Sequence, residues 1–219
     1  MNFVAVNGSP RKNKNTAQLL ASALAGIDSA QKAQTSTELI QLYDYKFESC
    51  LSCFECKRVG GKSYGRCALN DSLSPVLEKV TNADGVIFGS PIYYGGITGK
   101  MRSFLERLLF PYSVYDIDYS SLAPKKMKTA FVYTMNVTQE IMERFDYRGS
   151  LNFMEMSIGR IFTPLKILYA YNTYQFDDYS KYINERFSEP EKALHKKIQF
   201  PIDCQNAFAI GAEMVNRDY

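Results

Sequence analysis

Apolar residues in this chain fall into short unbroken runs, separated by stretches in which they recur every three or four positions. The runs are residues 3–6 (FVAV), 37–42 (TELIQL), 85–89 (GVIFG), 129–134 (TAFVYT) and 166–171 (KILYAY). Each has the length of a strand and is bounded by turn-forming or polar residues. Between the first two runs, Thr16, Leu20, Ala23, Leu24 and Ile27 keep helical spacing. Met101, Phe104, Leu105, Leu108 and Leu109 fall at i, i+3, i+4, i+7 and i+8, one face of an amphipathic helix. Asp71 and Ser74-Pro75 are helix starters, with proline suited to a first turn. A further helical region, with a break that the pattern does not locate, is expected around 138–160, and a last helix is expected to start after Pro201 and cover about 202–215.

Five strands that alternate with helices, and that are nearly continuous apolar runs, predict a parallel sheet covered on both faces. Right-handed crossovers then favour a doubly wound open α/β sheet. No repeat, low-complexity segment or linker divides residues 1–219, so a single domain is expected. The loop over 111–126 is long and tyrosine-rich, which suits a cover for a site or a partner surface.

Composition narrows the function by exclusion. A formal charge of +3 on 219 residues gives no concentrated basic face, so no nucleic-acid partner is expected. No apolar run approaches a membrane span, and the N-terminus enters a strand without a signal-peptide pattern, so a cytoplasmic protein is expected. His195, in a charged stretch, is the single histidine, which argues against histidine general-base chemistry and His-based zinc sites.

In an open parallel sheet, ligands sit beyond the carboxyl ends of the strands, where the strand order reverses. The loop after the first strand is Gly8-Ser9-Pro10-Arg11-Lys12-Asn13-Lys14-Asn15-Thr16. Its hydroxyls, amides, backbone N–H groups, helix N-terminus and forked Arg11 cation describe a phosphate site. It lacks the later glycines of a dinucleotide fingerprint and the Gly-Lys-Ser/Thr of a Walker A loop. Helix capping alone would explain Asn15 or Thr16, but not the loop's length and basicity. Lys12 and Lys14 read as a solvated charge run that would also attract nucleotide phosphates. The loop after the third strand, Ser90-Pro91-Ile92-Tyr93-Tyr94-Gly95-Gly96-Ile97-Thr98, combines a stiff proline, permissive glycines and two aromatic faces. That combination suits a planar ring and is equally compatible with ordinary packing.

Taken together, GSPRKNKNT and GSPIYYGGITGKMRSFLERL resemble the NAD(P)H-dependent FMN reductase and iron–sulfur flavoprotein branch of the flavodoxin-like superfamily, over most of residues 1–135. The resemblance implies a flavodoxin-like, doubly wound five-stranded parallel sheet of order 2-1-3-4-5, with bound FMN. It places the flavin phosphate on Ser9, Arg11, Asn15 and Thr16. The ring would lie against Pro91, Ile92, Tyr93, Tyr94 and Gly95, with Thr134, Met135 and Asn136 at its other edge. It also implies a homodimer and NAD(P)H as co-substrate. No catalytic side chain is expected, because the cofactor carries the redox chemistry; backbone N–H groups near residues 92–94 would polarise the ring.

The segment FESCLSCFECKRVGGKSYGRC holds Cys50, Cys53, Cys56 and Cys67 in a C-x2-C-x2-C-x10-C pattern after the second strand. Short thiol spacing suits a 4Fe–4S cluster near the flavin edge, and the glycines at 60, 61 and 65 would let the chain return Cys67 to the other three. Free or redox-active thiols, and a zinc site, remain alternative readings. Cys204 is expected to pack in the core. Three functions follow: a flavin oxidoreductase reducing a quinone, free flavin or similar small acceptor; an electron carrier from a ferredoxin-like donor through a cluster to FMN; and a thiol redox sensor.

Overall fold

A computed structural model describes residues 1–30 and 35–216. Its central sheet contains β1 (Asn2–Asn7), β2 (Ser36–Gln41), β3 (Gly85–Tyr93), β4 (Gly96–Ile97), β5 (Lys128–Thr134) and β6 (Lys166–Ala170). The five long strands are parallel in the order β2-β1-β3-β5-β6, the expected 2-1-3-4-5 arrangement. The sixth strand is a departure from expectation. β3 does not end at Gly89 but runs on to Tyr93 and pairs antiparallel with β4. A tight hairpin links them, with Tyr94 (φ 50°) and Gly95 (φ 79°) both left-handed, the conformation that two-residue hairpins demand.

Among the described residues, six α-helices pack with the sheet: α1 (Asn15–Ser29), α2 (Ser74–Asn82), α3 (Gly99–Leu109), α4 (Gln139–Arg144), α5 (Tyr147–Ile161) and α6 (Glu189–Met214). Strand side chains alternate between two cores, as the pleat requires. Val4, Val6, Val86, Phe88, Phe131 and Tyr133 face α2, α3 and α5. Phe3, Ala5, Ile87, Ala130 and Val132 face α1 and α6. Cys204 packs against this second core, as expected.

The structure locates the break within 138–160, and the start of the last helix differs from the pattern-based one. The region 138–160 is two helices, separated at Asp146, which adopts a left-handed conformation (φ 48°) and accepts the Gly149 N–H. The last helix starts at Glu189 rather than after Pro201. Ser188 caps it by accepting the Glu191 N–H at 3.3 Å, Pro190 occupies the first turn, and Pro201 lies inside. An interior proline forfeits one helical hydrogen bond; burial of Phe200, Ala207 and Met214 against the sheet and α1 holds the helix through it.

Candidate functional site

The carboxyl ends of β1, β3 and β5 meet at one edge of the sheet. Gly8, just after β1, donates its N–H to Gly89 O at 2.8 Å. A side chain at Gly8 would place its Cβ 2.8 Å from that of Met101, so glycine is what lets α3 approach the loop. Thr98, buried at the N-terminus of α3, ties the two loops together. Its hydroxyl donates to Gly8 O at 2.7 Å and its N–H donates to Ser90 Oγ at 3.0 Å. Thr98 belongs to the second loop of the sequence, yet its role escaped the pattern; a threonine immediately before Gly-Lys and an apolar helical run was the available signal.

The phosphate-loop candidates occupy distinct positions. Ser9 is buried and accepts the Arg11 N–H on its hydroxyl at 3.1 Å. The Arg11 guanidinium is half-buried and has no hydrogen-bond partner among the described residues. Thr16 and Thr134, both buried, share a hydroxyl–hydroxyl hydrogen bond of 2.8 Å, which joins the loop after β1 to the end of β5. Pro91 lies opposite Thr134 in the sheet register. The capping expectation for α1 fails: its N-cap is Lys14, which makes no side-chain cap bond. Asn15 instead donates from Nδ2 to Tyr174 O at 3.0 Å. Lys12 pairs with Asp44, and Lys14 with Asp177, so neither lysine is a bare solvated charge. Asp177 is held below the usual carboxylate range by the Lys14 hydrogen bond and charge, with a smaller contribution from Arg11.

On the ring side, Ile92 is partly buried, Tyr93 is half-exposed and Tyr94 projects fully into solvent from the hairpin. Tyr43, which the sequence reading passed over, lies beside Tyr93; burial and then the Tyr93 charge raise its phenol pKa. Met135 is buried and donates its N–H to Ala170 O at 3.0 Å. Asn136 follows, its backbone carbonyl accepting from Lys192 at 2.7 Å.

Two buried polar atoms at this edge lack partners: Asn7 Nδ2, a donor, and Asn136 Oδ1, an acceptor. Asn7 Oδ1 already accepts the Ser9 N–H at 2.9 Å, which fixes the direction of its amide. An orphaned donor beside the basic loop and an orphaned acceptor in the loop after β5 suit a ligand with phosphate or carbonyl oxygens at one end and a ring N–H at the other. FMN has that chemistry, so the residues present fit it.

The four cysteines of the 50–67 segment come together as well. Cys50, Cys53, Cys56 and Cys67 line one small cavity with Arg107 and Phe110. Cys56 is buried; burial raises its thiol pKa, Lys57 lowers it, and the other three cysteines raise it. Among the described residues, no three histidine, cysteine or acidic side chains converge on a single ion, the arrangement a zinc site needs. Four thiols on one cavity are the donor type of a cluster and equally of a redox-active thiol set. The cavity borders Arg107, nine residues along α3 from Thr98, so α3 runs from the loops after β1 and β3 toward the cysteines.

Arg107, on the α3 helix and absent from the candidate residues of the sequence, organises this pocket. Its side chain has no exposure and uses every N–H. Nε donates to Cys67 Sγ at 3.3 Å, and Nη1 and Nη2 grip Asp71 at 2.6 and 3.0 Å. The remaining donors reach Glu48 O and Leu69 O, before and after the cysteines.

A doubly wound parallel sheet, with a basic loop after β1 and a ring-sized edge between the loops after β3 and β5, defines a flavodoxin-like mononucleotide-binding protein. The model of the NADPH-dependent FMN reductase family matches residues 1–144, and the chain belongs to that family. It is similar to an iron–sulfur flavoprotein of Methanocaldococcus jannaschii, 34% identical over 107 residues, 49% of this chain and 51% of the relative. An iron–sulfur flavoprotein of Archaeoglobus fulgidus is 33% identical over 107 residues, 49% of this chain and 48% of its own. The chain thus spans about half the length of the curated relatives it matches. Among solved structures, the NAD(P)H:quinone oxidoreductase from Methanothermobacter marburgensis superposes with a TM-score of 0.71 at 15% identity, over 100% of this chain and 99% of that one. An FMN-dependent NADH-azoreductase from Bacillus anthracis, in complex with FMN, gives 0.66 at 13% identity, over 99% and 100%. These likenesses establish the fold.

Proposed function

We propose that the chain is an FMN-dependent oxidoreductase that passes electrons from NAD(P)H to a small acceptor such as a quinone or free flavin. The observation that carries this reading is the junction of the loops after β1 and β5 through Thr16 and Thr134, with the orphaned Asn7 Nδ2 beside it. Family membership supports the same cofactor. When bound, FMN supplies the hydride and electron chemistry. Ser9, Arg11 and the uncapped N-terminus of α1 bind the phosphate; Asn15 and Thr16 hold that loop in place through Tyr174 and Thr134. Pro91, Ile92, Tyr93, Tyr94 and Gly95 form one wall for the ring, and Thr134, Met135 and Asn136 the other. Tyr115, Ile117 and Tyr119 are exposed on the 111–126 loop, which supports its use as the contact of a homodimer. The closely spaced Cys50, Cys53, Cys56 and Cys67 suit metal or redox work in a reducing compartment, the cytoplasm. No helix among the described residues is long and apolar enough to cross a membrane.

The test is cofactor content. Purified protein is expected to be yellow, to release FMN rather than FAD, and to oxidise NAD(P)H when a quinone is supplied. A colourless protein that ignores FMN at about 10–100 µM, the scale of a weak specific site, would overturn the reading.

A second reading is favoured by the shared cysteine cavity and by the iron–sulfur flavoprotein relatives. In it, Cys50, Cys53, Cys56 and Cys67 hold a 4Fe–4S cluster, and a ferredoxin-like donor takes the place of NAD(P)H.

A further inference from the structure

Lys192, near the start of α6, lies outside the family-matched stretch and is almost wholly buried, with 1% exposure. Its ammonium donates to Asn136 O at 2.7 Å, Asn172 Oδ1 at 2.8 Å and Thr173 O at 3.5 Å. All three acceptors are neutral and belong to the loops after β5 and β6. No acidic side chain pairs with it among the described residues, whereas Lys12, Lys14, Lys79, Lys125 and Lys166 each pair with one at the surface. Burial alone pushes its pKa down to about 8.

An isolated buried cation is expensive, and a merely structural staple does not require one. The two loops are already joined without it. Asn172 N–H donates to Val137 O at 2.8 Å, Thr173 N–H to Met135 O at 2.9 Å, and the Thr173 hydroxyl to Met135 O at 3.0 Å. What Lys192 adds is charge, fixed behind the residue whose Oδ1 stands buried and unpartnered at the site's edge. Fixed positive charge in a water-poor setting stabilises negative charge that develops nearby, and reduction adds negative charge to a flavin ring.

We infer that Lys192 is a positioning residue for the flavin, holding the Asn136 loop at the ring and biasing the bound cofactor toward its reduced, anionic form. This rests on the FMN reading above. The experiment is the two-electron midpoint potential of FMN bound to wild type, Lys192→Met and Lys192→Gln. Both variants are expected to keep oxidised FMN and to lose the preference for reduced over oxidised flavin by about tenfold, close to 30 mV more negative for a two-electron couple. Glutamine retains amide donors, so a purely structural role would leave its potential at the wild-type value, and that result overturns the inference. Should the methionine variant not fold, the glutamine variant decides. Failure of both variants to bind FMN makes Lys192 a residue of the fold and also overturns the inference. A wild-type protein without flavin overturns the FMN reading instead.

Discussion

Arg11 shows how a single side chain separates phosphate recognition from ring recognition. Its backbone N–H is taken by Ser9 Oγ, while its guanidinium is half-buried with no hydrogen-bond partner among the described residues. A charge-assisted bond to a phosphate contributes about 1.5–3 kcal/mol. Arg11→Ala is therefore expected to weaken FMN binding by about 10–100-fold in a fluorescence titration, while riboflavin, which has no phosphate, binds as before. Equal losses for both ligands would show that Arg11 supports the loop or the ring instead. Arg107 makes the contrasting case. Every donor it has is committed, so its place is in the architecture of the cysteine pocket; its partner Asp71 keeps 26% of its side chain exposed, so breaking the pair costs less than the roughly 3–5 kcal/mol of a fully buried one.

At the scale of elements, α1 and α6 approach one another closely. A Cβ built on Gly211 would lie 1.8 Å from Ala23 O, and one on Gly26 would lie 2.0 Å from Phe208 O. The two helices therefore touch backbone to backbone, and the obstruction is a carbonyl rather than a side chain that can turn away. Gly211→Ala is expected to destabilise the protein by about 2 kcal/mol or more, the upper part of the overpacking range, as read from denaturant midpoints. Gly99→Ala, where an added Cβ meets nothing within 4 Å, is the matched control and is expected to be close to neutral. A neutral Gly211→Ala would mean that the helices are free to separate. The same contact explains why α6 continues through Pro201: α6 is anchored by what it touches, and local propensity does not set its limits.

Across the whole molecule, the proposed flavin edge and the cysteine pocket are separate constructions. The first uses the carboxyl ends of β1, β3 and β5; the second sits along α3, bordered by Phe110 and the 50–69 segment. Independence of this kind has a measurable consequence. If the cysteines hold a 4Fe–4S cluster, anaerobically purified protein should contain about four irons per chain. Cys67→Ser should then remove most of the iron and leave FMN affinity unchanged. Protein that holds flavin but takes up no iron when iron and sulfide are supplied would leave the four residues as packed or redox-active thiols. Loss of FMN together with the iron would show that the two sites are coupled through α3.

The sheet was legible in the sequence because apolar runs and helical periodicity are local. Runs such as GVIFG and TAFVYT fix which segments become strands, and the basic GSPRKNKNT loop marks where a phosphate is expected. The ends of β3 and α6 were not legible, because they depend on partners distant in the chain: Thr134 extends pairing to Pro91, and the sheet and α1 hold α6 through its proline. The same distinction divides the site. Sequence determined the loops, their charge and the cysteine spacing. Only tertiary structure brought Lys192 from the C-terminal third to Asn136 and made Arg107, one residue of α3, the fully buried partner of Cys67. Neither has a local signature, because whether a lone cation ends in water or among carbonyls is decided by how whole elements pack, and its cost appears only once they have.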